Sequence, residues 1–129
     1  MGNYADAGPS TFAELLAPLP EDVAEVAEAL RTIVRRTIPH ADEAVSGGAR
    51  MGMALYSIGD ARNVVCGIQP TDRMCKLFFH GWRQLEEHGF RLEGSGKHAR
   101  HVKLRPGEEP DPDVVAEMIG VILPLFDGT

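Results

Sequence analysis

The 129-residue chain has no apolar run approaching the roughly 18 residues that a membrane-spanning helix needs. Its start, Met1-Gly2-Asn3-Tyr4-Ala5-Asp6, lacks the basic residues and apolar stretch of a secretory leader. These absences lead us to expect a cytoplasmic protein with no membrane partner. Positive charge is in short supply: 13 Lys and Arg face 19 Asp and Glu, a net charge of −6. That balance argues against a generic nucleic-acid or anionic-membrane binder. Catalytic signatures are missing as well. Ser46, Ser57 and Ser95 lack a Gly-x-Ser-x-Gly setting, and no His-Glu-x-x-His motif occurs. An enzyme of unassigned class is therefore an alternative without a legible constellation. No resident cofactor is expected.

Cysteine is nearly absent. Cys66 and Cys75 are the only two, with no Cys-x-x-Cys spacing for zinc. They lie at equal distances from the centre of Gln69-Pro70-Thr71-Asp72, a turn signal, so a hairpin there sets them face to face as a redox pair. The alternative, which we prefer, is two buried, reduced, small hydrophobes.

What is present suits one domain. We expect residues 1–10 to form a frayed N-terminus and 11–129 a single domain. Thr11-Phe12-Ala13-Glu14 is a capping-box pattern, predicting a short helix over Phe12–Ala17. After Pro20, Val23, Val26, Ala27, Leu30, Val34 and Ile38 recur at helical spacing, to a stop near Thr37 before Pro39. From Glu43 the period changes. Met51, Met53 and Leu55 alternate with their neighbours, and Asn63–Ile68, Met74–His80 and His98–Arg105 read as strands. A short helix follows over Trp82–His88, and a last one over Asp113–Phe126. Short connections make the strands antiparallel, so the expected fold is α+β, two-layered, with helices packed on one antiparallel sheet.

The strand at 74–80 is apolar on both sides, Met74 and Phe78 on one and Cys75, Leu77 and Phe79 on the other. Either helices cover both faces, or the second face meets a ligand or another copy as a homodimer through the sheet.

Two segments could carry binding chemistry. In Gly94-Ser95-Gly96-Lys97-His98-Ala99-Arg100-His101-Val102-Lys103, glycines allow backbone N–H groups to converge on an anion, and Lys97, Arg100 and Lys103 add charge. Walker spacing is absent, and the plain alternative is a glycine turn followed by a solvated basic strand. We expect a small anion, or a partner's carboxylates, beside Gly94, Ser95, Gly96, Lys97, Arg100 and Lys103, with Tyr56 and Trp82 lining the pocket. The second segment is the acidic start of the long helix. Glu21, Glu25 and Glu28 share a face and Asp22 lies beside them, so this ridge could hold a hard cation such as ferrous iron; the alternative is complementarity to the helix dipole. The histidines do not group: His98 and His101 fall on opposite strand faces, and His80 and His88 stand apart.

Phe78-Phe79-His80-Gly81-Trp82-Arg83-Gln84-Leu85, followed by Leu92-Glu93-Gly94-Ser95-Gly96-Lys97-x-x-Arg100-His101-Val102-Lys103-Leu104, resembles the YdhG-like bacterial family over about residues 11–126. The resemblance implies a two-layer fold with one antiparallel sheet, similar to type III secretion chaperones. It carries Gly96, Lys97 and Arg100 onto matching positions. Some members are described as frataxin-like iron chaperones, which gives an intracellular iron carrier using the acidic helix as the alternative function. This chain has Ala54 where members commonly have proline, and Met51 in place of an aromatic residue.

The net charge is unevenly spread. Residues 1–48 carry −5, 49–105 carry +5 and 106–129 carry −6. An anionic ligand belongs with the central, sheet-forming segment, and a cation with the helices.

Overall fold

The computed structural model describes residues 8–46 and 52–127. The order is α1 (Phe12–Leu16), α2 (Glu21–Thr37), β1 (Asp42–Ser46), β2 (Met53–Ser57), β3 (Val64–Pro70), β4 (Cys75–His80), α3 (Trp82–Glu87), β5 (Ala99–Leu104), α4 (Pro112–Ile122) and α5 (Pro124–Asp127). The strands form one antiparallel sheet in sequential order, β1 to β5. The fold is therefore the expected α+β, two-layer arrangement. Met51, expected in the alternating run, lies outside the described residues, as do residues 1–7 of the expected N-terminal tail.

Local chemistry explains the helix starts. The Thr11 hydroxyl accepts from the Glu14 amide at 3.1 Å, and the Glu14 carboxylate accepts from the Thr11 amide at 3.2 Å, closing the capping box. Asp111 caps α4 by accepting from the amides of Asp113 and Val114, with Pro112 in the first turn. That cap starts the helix one residue before the expected Asp113. Its end also differs: the expected single helix to Phe126 breaks after Ile122, because Pro124 has no N–H to continue the ladder. The break turns Leu125 and Phe126 toward the end of β4.

One sheet face is rung after rung of core. Tyr56, Cys66 and Phe79 align across β2, β3 and β4, as do Ala54, Ile68 and Leu77. All six are buried and join Leu30, Val34, Ile119 and Ile122 of the helices in one cluster. The opposite face carries the rung Leu55, Gly67, Phe78 and His101, whose side chains other than glycine are only half-buried. Alternation along β4 is complete, with Cys75, Leu77 and Phe79 buried and Lys76, Phe78 and His80 part-exposed. The helices thus serve the first face, and Phe78 stands on the other.

The cysteines are not opposite each other. Thr71 forms the turn with Met74: its amide donates to the Met74 carbonyl at 2.8 Å, and its hydroxyl accepts from the Arg73 and Met74 amides. This moves the hairpin centre two residues beyond the expected one. Cys66 faces Phe79 and Cys75 faces Pro70. The offset of four residues along the strands is roughly 13 Å, too far for a disulfide. Both thiols are free and buried, and burial pushes each up to about 12.

Gly81 joins β4 to α3 at φ +76°, and a Cβ there would meet Leu125 Cδ1 at 3.0 Å and Ile122 Cγ2 at 3.3 Å. Both backbone and space require glycine. Gly81→Ala should lower stability by about 1–3 kcal/mol, read as a fall in urea midpoint at constant slope. An unchanged midpoint would show that the joint is not constrained.

Candidate functional site

The β4–α3 joint and the segment entering β5 come together at one end of the sheet. His80, Gly81, Trp82 and Arg83 from the first, Lys97 and His98 from the second, and Leu125 and Phe126 of α5 surround a shallow cleft of about 270 Å³. Trp82 organises it. The ring is 8% exposed, and its Nε1–H donates to the Lys97 carbonyl at 3.0 Å. The Arg100 guanidinium lies 3.6 Å from the ring centroid and that of Arg83 4.6 Å, both in cation–π range. Asn63 secures the α5 wall, donating to the carbonyls of Phe126 at 2.8 Å and Ile58 at 2.9 Å.

The cleft is rich in cationic and titratable nitrogen. Arg83 and Lys97 are its two basic side chains, and neither takes part in the ion pairs among the described residues, which use Arg31, Arg35, Arg62, Arg100 and Lys103. His80 is half-buried, and burial, reinforced by the positive field of His98, holds its ring below the usual imidazole range. An anion in the cleft would oppose that lowering and favour its proton.

The expected anion site is thus only partly assembled. Lys97 and Trp82 line the cleft. Arg100 does not face it as a free charge: its Nε donates to the Gly96 carbonyl at 3.3 Å, and its guanidinium approaches Glu86 at 3.9 Å while covering Trp82. Lys103 lies further along β5, 3.5 Å from Glu93, in a separate hollow with Arg105 and Glu108. Gly94 and Gly96 have conformational reasons of their own. Gly94 adopts φ +101° against the His101 ring, and a Cβ on Gly96 would stand 2.6 Å from the Ala99 carbonyl. Ser95 is exposed between them. These glycines let the chain double back along β5, where Glu93 and His101 exchange backbone hydrogen bonds at 2.7 and 3.0 Å.

Tyr56 belongs elsewhere, which corrects its placement beside Trp82. It points to the helix-covered face and donates to Glu43 Oε2 at 2.6 Å. Glu43 also accepts two bonds of 2.8 Å from Arg31 and one of 3.4 Å from Arg35. Arg31 in turn lies 4.8 Å over the Phe12 ring. This knot ties α1, α2, β1 and β2 together and is structural.

Among the described residues, no three His, Cys, Asp or Glu side chains are placed to hold one metal ion. The Glu21, Asp22, Glu25 and Glu28 ridge therefore does not gather into a ligand set. All four are exposed. Likewise, no helix among the described residues is long and apolar enough to cross a membrane.

His80, Arg83 and His98 were not among the residues expected at the anion site. The contiguous Trp82-Arg83 and Lys97-His98 pairs were visible, but 15 residues separate Trp82 from Lys97 and only the fold apposes them. Compared with known proteins, the chain matches no family model, no curated protein and no solved structure, so the site is read from its own geometry.

Proposed function

We propose that this is a cytoplasmic binding protein that holds the anionic group of a small ligand, a carboxylate or phosphate, in the Trp82–Lys97 cleft. The observation that carries the reading is the grouping of Arg83, Lys97, His80 and His98 around one aromatic-walled cleft in a chain of net charge −6. Surplus acid elsewhere makes the local pairing of Arg83 with Lys97, flanked by two imidazoles, a selective feature rather than a consequence of composition. The ammonium of Lys97 supplies up to three donors and the guanidinium of Arg83 a fork that matches an oxyanion. The rigid Trp82 anchor keeps the Lys97 backbone in place, which limits the ordering cost on binding. Two buried, free thiols suit a reducing compartment.

Titration of the labelled protein with inorganic phosphate, followed by amide chemical shifts, tests this. Shifts should centre on His80, Arg83, Lys97 and His98, and Lys97→Ala should weaken binding roughly tenfold, the worth of one charge-assisted contact. Equal binding by wild type and variant, or shifts confined to other surfaces, would overturn the assignment.

A further inference from the structure

On the helix-free sheet face, a hollow of about 200 Å³ opens over Gly67, walled by Met53, Leu55, Val64 and Phe78. Gly67 creates it. Leu55 and Phe78 flank that glycine in register on neighbouring strands, and the Leu55 side chain leans over it. An added Cβ would stand 2.9 Å from Leu55 Cδ2. A solvent-facing antiparallel face ordinarily carries polar residues. Here polar residues border the hollow instead: Lys76 and Lys103 toward one end and Asp42 and Ser46 on the edge strand. An apolar patch rimmed by polar groups marks a contact site.

The hollow and the cationic cleft adjoin, because His80 is a wall of both. Each alone is smaller than the roughly 300–1,000 Å³ of a typical small-molecule site. Side by side they offer an apolar floor leading to a cationic end. From this juxtaposition we infer that the ligand is an amphipathic organic anion, with its carboxylate or phosphate beside Lys97 and its apolar body over Gly67 between Leu55 and Phe78. The inference rests on the anion-site reading and extends it onto the sheet. A second copy fits the face less well. A two-fold copy would bring Lys76 and Lys103 of both chains toward the interface.

The test is an amide-shift titration of the full chain with octanoate, acetate, inorganic phosphate and octanol, together with sedimentation velocity. Octanoate should bind at least tenfold tighter than acetate, since several methylenes leave water. It should move the amides of Leu55, Gly67 and Phe78 together with those of His80, Lys97 and His98, whereas acetate and phosphate move only the second group. Leu55→Gln, at a half-exposed position, should reduce octanoate binding to the level of acetate and leave phosphate binding unchanged. Equal affinity for octanoate and acetate with silent sheet amides would overturn the inference and leave the anion site standing. Octanol binding as tightly as octanoate, with octanoate insensitive to Lys97→Ala, would remove the anionic group from the ligand. A dimer that Leu55→Gln converts to monomer would assign the face to a second copy and overturn the inference. Silence toward every anion would overturn both readings.

Discussion

Trp82→Ala should cost about 3–5 kcal/mol, the loss of a large, nearly buried aromatic side chain and the cavity left behind. That is a large part of the roughly 5–15 kcal/mol by which a domain is stable. The ring does several things at once. It fills the space beside α3, its Nε1–H holds the Lys97 carbonyl at 3.0 Å, and it carries Arg100 at 3.6 Å. Its removal also leaves Arg100 with only the Gly96 carbonyl and a long contact to Glu86. Urea unfolding should show the fall in midpoint. Trp82→Phe separates packing from positioning: it keeps much of the apolar bulk and loses the N–H donor. We expect it to cost only about 1–2 kcal/mol while weakening phosphate binding several-fold, since Lys97 is no longer anchored. A Trp82→Ala midpoint equal to wild type would refute the anchor, and full phosphate affinity in Trp82→Phe would detach the cleft from it.

Glu43→Ala should be the second large loss, about 2–4 kcal/mol. The Glu43 side chain is 15% exposed and ends a bidentate pair from Arg31, so its removal strands partners rather than a surface charge. Arg31 is 36% exposed and can recover water, which keeps the expected cost below that of a fully buried pair. Tyr56 loses the acceptor of its 2.6 Å bond inside the core, and that unsatisfied hydroxyl adds to the cost. The same knot sets a pH signature. The hydrogen bonds from Arg31 hold the Glu43 carboxyl below the usual carboxylate range; burial opposes this, and the Tyr56 bond assists it. A carboxyl lowered on folding stabilises the protein fully above its unfolded value, near 4.5, and that contribution disappears as pH falls through the folded value. The stability difference between wild type and Glu43→Gln should therefore be constant above about pH 5 and shrink toward pH 3. Glu14 and Asp60 also have lowered carboxyls, but they persist in the variant and cancel in the difference. Tyr56 acts at the other extreme: burial, and then the Glu43 bond, raise its hydroxyl well above 10, so its contribution is intact below pH 10 and is lost at higher pH. A difference that stayed flat from pH 7 to 3 would show that Glu43 is not held ionised by the knot.

Much of the architecture was readable because it depends on neighbours in the chain. The capping box at Thr11 and Glu14, the apolar stripe of α2 and the alternation in β4 are local patterns with periods of their own. Errors arose where one local interaction outweighed another. The Thr71 hydroxyl shifted the β3–β4 turn and with it the cysteine register, and Pro124 divided the last helix. The proposed anion site was half-legible for a different reason. Lys97 was evident, but Arg100 looked like a second ligand until its partners Trp82, Gly96 and Glu86 were in place. Glu43 is not legible in the sequence, because one acidic residue in a strand has no signature and its meaning comes from Arg31 and Tyr56, 12 and 13 positions away.

The sequence by itself determined the helices, the antiparallel strands and the location of the positive charge in the middle of the chain. Periodicity, capping and composition act over a few residues, and a few residues suffice to read them. Tertiary structure alone decided which sheet face the helices would cover, which cations would be spent on internal partners, and that His80 would stand between an apolar hollow and a cationic cleft. Those outcomes depend on register and on contacts between segments far apart in the chain. A shift of one residue in pairing would have turned Phe78 into the core and Phe79 toward the open face.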